Sequence, residues 1–207
     1  MKEINFDIVF DSQKIFRVLL DAFARPGKIN KITDLKIKPP LNVSKAALEI
    51  FFTLLDLEVG FYVWCFDEQK RRKIEEYIVL NTGSNPRDLE SADFVLALND
   101  LSELKKVKKG SLEYPEQGAT VARVVEEIGE NLEGNFLTLI LTGPGINGKK
   151  TVSLKGVKRE EIIEIIEANK DFPLGIDFLF VDKKDKVFAL PRSTKIVEVK
   201  ESTIKNE

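Results

Sequence analysis

The sequence predicts one α/β sandwich built around a mixed sheet. Helical and strand periodicities alternate along the 207 residues, and a C-terminal hairpin demands an antiparallel strand pair. No Pro-, Gly- or Ser-rich linker divides the chain, and its length favours one domain. That domain is expected over 1–200, with 201–207 as a flexible tail.

Taken in order, Ile15, Phe16, Leu19, Leu20 and Phe23 recur at helical spacing after Asp11 and Ser12, either of which suits an N-cap. Pro26 and Gly27 stop that helix, and Pro39-Pro40 marks a turn. A second helix is expected from about Ser44 to Leu57, apolar on most faces. Such a helix belongs either inside the domain or in a subunit interface. The aromatic run Phe61 to Phe66 reads as a buried strand, and the charged segment after it as a helix turning Ile74, Tyr77 and Ile78 inward.

Asp93 to Leu98 is a further core strand, and Leu101 to Lys109 a short amphipathic helix ended by Gly110. Thr120, Val121, Val124 and Val125 tilt the segment from Ala119 to Ile128 towards strand. Asn135 to Thr142 and Thr151 to Leu154 are strands, and Lys158 to Asn169 a helix. IDFLFV, the polar turn DKKDK and VFAL form the hairpin, and the last residues, KESTIKNE, read as a loose tail.

Composition removes many activities. The chain has no histidine and a single cysteine, Cys65. Ser-His-Asp and Cys-His nucleophile pairs, the usual zinc sites and a self-held iron–sulfur cluster are therefore excluded. A net charge of −2 gives no basic field for nucleic acid and no polybasic membrane patch. The stretch LEIFFTLLDLEVGFYVW is broken by Asp56, Glu58 and Gly60 and does not read as a membrane span. The start carries no secretory signal, so a cytoplasmic protein is expected.

One stretch tempts a nucleotide reading. From Gly143 the chain spells G-P-G-I-N-G-K-K, with Lys150 where a phosphate-binding loop needs a hydroxyl. Thr151 to Leu154 alternates polar and apolar residues, so no helix follows to direct its N–H groups at a phosphate. Pro144 removes another donor. A tight turn between two strands fits better.

Cys65, flanked by Trp64 and Phe66, reads as a small core hydrophobe with no base to activate it. Asp177 opens an otherwise apolar run and calls for a cation, with Arg192 the candidate partner in a structural ion pair. Glu116 lies in the turn YPEQGAT, suited to capping, a partner chain or a ligand.

Five blocks, in order and spread over nearly the whole chain, resemble one family. They are Phe16, Arg17, Leu19, Leu20, Ala22, Pro26 and Gly27; Pro115, Glu116, Gly118, Ala119 and Thr120; and Leu141, Thr142, Gly143, Gly145 and Ile146. FPLGID, Phe172 to Asp177, and Ala189 to Thr194 complete the set. Together they are similar to the phosphonate-metabolism family PhnH, subunits of the bacterial carbon–phosphorus lyase complex. Lys195 and Ile196 depart from members that carry histidine there, and the run NGKK is more basic than the family pattern.

The resemblance implies a three-layer sandwich similar to the large domain of PLP-dependent transferases but without the PLP site. It implies a homodimer that joins the other lyase core subunits, and a role in forming ribose 1-phosphonate 5-triphosphate from ATP and a phosphonate. It assigns no catalytic residue, cofactor or metal to this chain. Arg17, Glu116, Thr142, Gly143, Gly145, Asp177 and Arg192 are the candidates for ligand or interface contacts. Two rivals stand beside this reading. One is a small transferase or nucleotide binder with Lys149 or Lys150 of the Thr142–Lys150 turn on phosphate. The other is a stand-alone dimeric binder of a phosphorylated metabolite, gripped by Arg17 or Arg192.

Overall fold

The computed structural model describes residues 5–202. Helix α1 spans Phe10–Ala24, followed by strand β1 (Asn30–Lys31), helix α2 (Lys45–Leu54) and strand β2 (Gly60–Trp64). Helix α3 (Glu68–Thr82) leads to β3 (Asn85–Pro86) and β4 (Phe94–Ala97). Four strands follow: β5 (Thr120–Val124), β6 (Glu127–Gly129), β7 (Phe136–Thr142) and β8 (Lys150–Lys155). Helix α4 (Arg159–Ala168) precedes β9 (Asp177–Val181), β10 (Lys186–Leu190) and β11 (Lys195–Ser202).

The strands form two sheets. A seven-stranded sheet runs in the order β1-β10-β9-β5-β4-β2-β3, and a four-stranded sheet in the order β11-β7-β8-β6. From β3 to β9 every pairing in the larger sheet is parallel, and β10 and β1 add antiparallel partners at its other edge. The smaller sheet is antiparallel throughout.

A parallel sheet must be covered on both faces, and the alternation along β9 shows how. Leu179 and Val181 join the core beneath α1, α2 and α3. Phe178 and Phe180 face the opposite way, into a core closed by the smaller sheet and α4. Phe180 lies 5.0 Å from Phe188 and 6.2 Å from Phe178, ring centre to ring centre. The molecule therefore has three layers, and the third is mainly a second sheet.

Local chemistry sets the helix ends. Ser44 Oγ accepts the Ala47 N–H and Asp67 Oδ1 the Lys70 N–H, each capping the helix that follows. At α1 the expectation is corrected: Asp7 Oδ1 accepts the N–H groups of Val9 and Phe10, and Asp11 and Ser12 lie inside the first turn. Helix α2 stops before Leu57 because Asp56 Oδ1 takes the N–H groups of Glu58 and Val59. Every residue from Ala46 to Phe52 is buried within this one chain, so α2 is a core helix. The exposed apolar face belongs to α1 instead, through Phe10, Phe16 and Leu20.

Three other expectations change. Strand β2 ends at Trp64, leaving Cys65 half-buried and Phe66 66% exposed, because the chain must leave the sheet to start α3. Leu101 to Lys109 forms only a 3₁₀ turn at Leu104–Lys106, with Leu101, Leu104 and Val107 buried at three-residue spacing. Lys200, Glu201 and Ser202 extend β11 along β7, so they are not a loose tail. The remainder of the expected tail, 203–207, lies outside the described residues.

Candidate functional site

Strand pairing brings the distant blocks together. Leu190 lies opposite Phe178, so the residue before β9's apolar run, Asp177, meets the chain leaving β10. There the Arg192 N–H donates to Asp177 Oδ1 at 2.7 Å. The Arg192 side chain donates to Oδ2 from Nε at 3.1 Å and from Nη2 at 2.7 Å. Nη1 reaches the Pro115 carbonyl at 2.5 Å and Nη2 the Gly118 carbonyl at 3.3 Å. One guanidinium thus ties the blocks PEQGAT, FPLGID and ALPRST.

The approach is close enough to require glycine. A Cβ at Gly118 would lie 2.4 Å from the Gly175 carbonyl and 2.5 Å from Arg192 Nη1. Asn169, at the end of α4, closes the same junction: its Oδ1 accepts the Ile176 N–H at 2.7 Å and its Nδ2 donates to the Ile176 carbonyl.

The two remaining blocks meet beside this junction. The Gly27 N–H donates to the Ala189 carbonyl at 3.2 Å. Gly145 (φ 80°) sits where a Cβ would come within 2.3 Å of the Ala24 carbonyl. Gly143 faces the backbone of Ser193 and Thr194. The turn joins β7 to β8 with Leu141 opposite Lys150, and Thr151 lies in the strand. No helix follows it, as the alternation of Thr151 to Leu154 requires, so it is not a phosphate-binding loop of the NTPase type.

The seven candidate residues fare differently. Gly143, Gly145, Asp177 and Arg192 fall within this interlocked end. Thr142 is half-buried at the end of β7, opposite Lys195 of β11. Glu116 is exposed on the short turn Pro115–Gln117, one residue from the carbonyl that Arg192 holds. Arg17 stands apart, exposed on α1 about two turns before Arg25.

Several polar groups gave no sequence signal of their importance. Glu49, inside the apolar run of α2, is 1% exposed and accepts the N–H groups of Lys36 and Ile37, fixing the loop over the helix layer. Burial pushes its carboxyl above the usual range, against the pull of those two N–H groups. Arg123 and Glu161 form a buried pair, and burial likewise pushes Glu161 up although Arg123 and the Leu101 N–H oppose it. Asp182 is fully buried and accepts N–H groups from Ile128, Lys184 and Lys186, organising the hairpin turn. The Asp-Lys-Lys pattern alone was the available hint, since aspartate often accepts N–H groups a few residues on.

Chemically, the interlocked end is a clamp. Asp177 accepts three N–H bonds, and Arg192 makes five donations, one from its backbone and four from its guanidinium, all to this chain's own oxygens. Among the described residues no group of three or more Asp, Glu or Cys side chains is placed to hold a metal ion. None of the described helices is long and apolar enough to cross a membrane. Two concavities flank the clamp. A mainly apolar cavity of about 540 Å³ runs past Phe172, Ile165 and Ile166 to Thr194. A groove of about 250 Å³ lies between Arg25, Lys28 and the turn ending at Lys150.

Comparison with known proteins agrees with the blocks. The model of the family "Bacterial phosphonate metabolism protein (PhnH)" matches residues 5–197. The chain is 30% identical over 194 residues to the alpha-D-ribose 1-methylphosphonate 5-triphosphate synthase subunit PhnH of Rhizobium meliloti (strain 1021), covering 92% of each chain. It is 32% identical over 188 residues to the putative C-P lyase subunit protein HtxG of Stutzerimonas stutzeri, covering 89% of this chain and 85% of that one. This chain belongs to the PhnH family of bacterial phosphonate-metabolism proteins.

Proposed function

We propose that the chain is an accessory subunit of a carbon–phosphorus lyase system, working with sister subunits that form ribose 1-phosphonate 5-triphosphate from ATP and a phosphonate. Family membership supports the system, since its relatives are named as subunits of a synthase and of a lyase. The observation that carries the accessory role is the Arg192 clamp. The motif residues with chemical potential are spent on holding three backbone segments together.

The same reading makes the protein a cytoplasmic homodimer that docks on the other core subunits. The apolar face of α1 and the exposed Arg17 and Glu116, which make no ion pair with any described residue, are assigned to such contacts. A fold relation to the large domain of PLP-dependent transferases, without cofactor, belongs to it too; the mixed seven-stranded sheet supports that relation.

Reconstitution tests the reading. Sister subunits from the same genome would be incubated with ATP and methylphosphonate, with and without this chain, and the phosphonate ester followed by phosphorus NMR. Product only in the complete mixture is expected. Equal product without the chain would remove its claim to a part in the synthase.

A further inference from the structure

We propose that the groove between the α1–β1 turn and the β7–β8 turn binds the phosphate chain of a di- or triphosphate ester. The proposal rests on the subunit reading above, and it names a ligand class for a place in the chain that the reading leaves empty of chemistry.

The β7–β8 turn fails as a nucleotide loop because it lacks a helix. The fold supplies a different source of positive charge. Arg25 and Lys28, from the other side of the groove, face Lys149 and Lys150, so all four charged residues of the lining are cations. Two carboxylates outside the lining pair with three of these cations: Asp21 with both Arg25 and Lys28, and Glu130 with Lys150 at 2.6 Å. Lys149 is exposed and makes no ion pair with any described residue. Its charge is available to a ligand.

The backbone adds donors. Gly145 (φ 80°) and Gly148 (φ 76°) bend the turn around the groove, as in backbone concavities that hold anions. The N–H groups of Asn147 and Gly148 donate to no described atom of the protein, whereas that of Ile146 is used on the Gly143 carbonyl. Asn147 lines the groove, and the guanidinium and lysines that line it with Asn147 suit phosphate oxygens. The volume, about 250 Å³, is smaller than the roughly 300–1,000 Å³ of pockets that enclose a whole small molecule. The groove therefore suits the anionic end of a ligand whose remaining part lies outside it.

The test is titration calorimetry of the full chain with inorganic tripolyphosphate in low-salt buffer, where exposed charges are least screened. Wild type is expected to bind, and Arg25→Ala/Lys149→Ala to lose at least about tenfold in affinity. Lys105→Ala/Lys183→Ala removes the same charge from exposed lysines elsewhere and should change affinity less than about twofold. An equal loss in that control, or no binding by wild type at millimolar tripolyphosphate, overturns the groove. Binding that survives Arg25→Ala/Lys149→Ala overturns it as well. Failure of that variant to join co-expressed subunits, with no tripolyphosphate binding by wild type, would make the groove a contact for an acidic protein surface. The subunit reading would then stand without it.

Discussion

Arg192 meets Asp177 through backbone and side chain together: its N–H lies 2.7 Å from Oδ1, while Nη2 and Nε lie 2.7 and 3.1 Å from Oδ2. One carboxylate thereby fixes both the direction of the chain after β10 and the plane of the guanidinium. That plane is what presents Nη1 and Nη2 to the carbonyls of Pro115 and Gly118. Arg192→Ala is expected to cost about 2–4 kcal/mol, since it strands a half-buried carboxylate and two carbonyls. Arg192→Lys should recover only part, because an ammonium has no fork. Urea denaturation midpoints measure both; a lysine variant as stable as wild type would show that the fork is not needed.

Glu49 carries a pH prediction. Burial raises its folded pKa above the ordinary 4.5, so the folded state binds the proton more tightly than the unfolded chain does. Its favourable contribution is complete below pH 4.5 and is lost as pH rises through the folded value. Glu49→Gln keeps the oxygen that accepts from Lys36 and Ile37 and never ionises. It should match wild type in acid and equal or exceed it at pH 7. Glu49→Ala should lose about 2 kcal/mol, from two N–H groups left unpaired. Thermal melts between pH 4 and 8 separate the cases, and a glutamine variant as weak as alanine would mean that the charge itself is required.

Asp93 shifts the opposite way. Burial opposes its ionisation, but Lys108 and the Gly60 N–H outweigh that and hold the carboxyl below the ordinary 3.8. The folded state thus binds this proton less tightly. Its stabilising contribution is present above about pH 3.8 and is lost as pH falls through the lower, folded value. Asp93→Asn should therefore be less stable than wild type at neutral pH, with the gap closing in acid. A gap that stays constant down to pH 3 would remove the ionised carboxylate from the explanation.

The β7–β8 turn offers a paired substitution. Gly145→Ala places a methyl 2.3 Å from the Ala24 carbonyl and must displace backbone. Gly148→Ala meets nothing within 4 Å, so it incurs only the left-handed backbone cost of about 1–2 kcal/mol. Gly145→Ala should be clearly the more destabilised of the two in chemical denaturation. Equal losses would mean that the turn does not seat against α1 as described.

Much of this was legible because local and tertiary preferences agree. The alternation in NFLTLILT buries Leu137, Leu139 and Leu141 on one side of β7. The lone acid opening IDFLFV did find Arg192. Strand β11 was not legible: KIVEVKES lies at the edge of the smaller sheet with most residues exposed, and edge pairing to β7 leaves little pattern. The core placement of α2 was undecided because a helix apolar on many faces looks alike in a core and in an interface. Nor does a sequence show which carbonyls a guanidinium will reach: Pro115 and Gly118 precede Arg192 by more than 70 residues.

The central claim is membership of a working assembly. Native mass spectrometry of this chain co-expressed with the other lyase-core subunits of the same genome tests it most directly. A stoichiometric hetero-complex containing two copies of the chain is the predicted result. Recovery of the chain alone, with the partners assembling fully without it, would contradict the account.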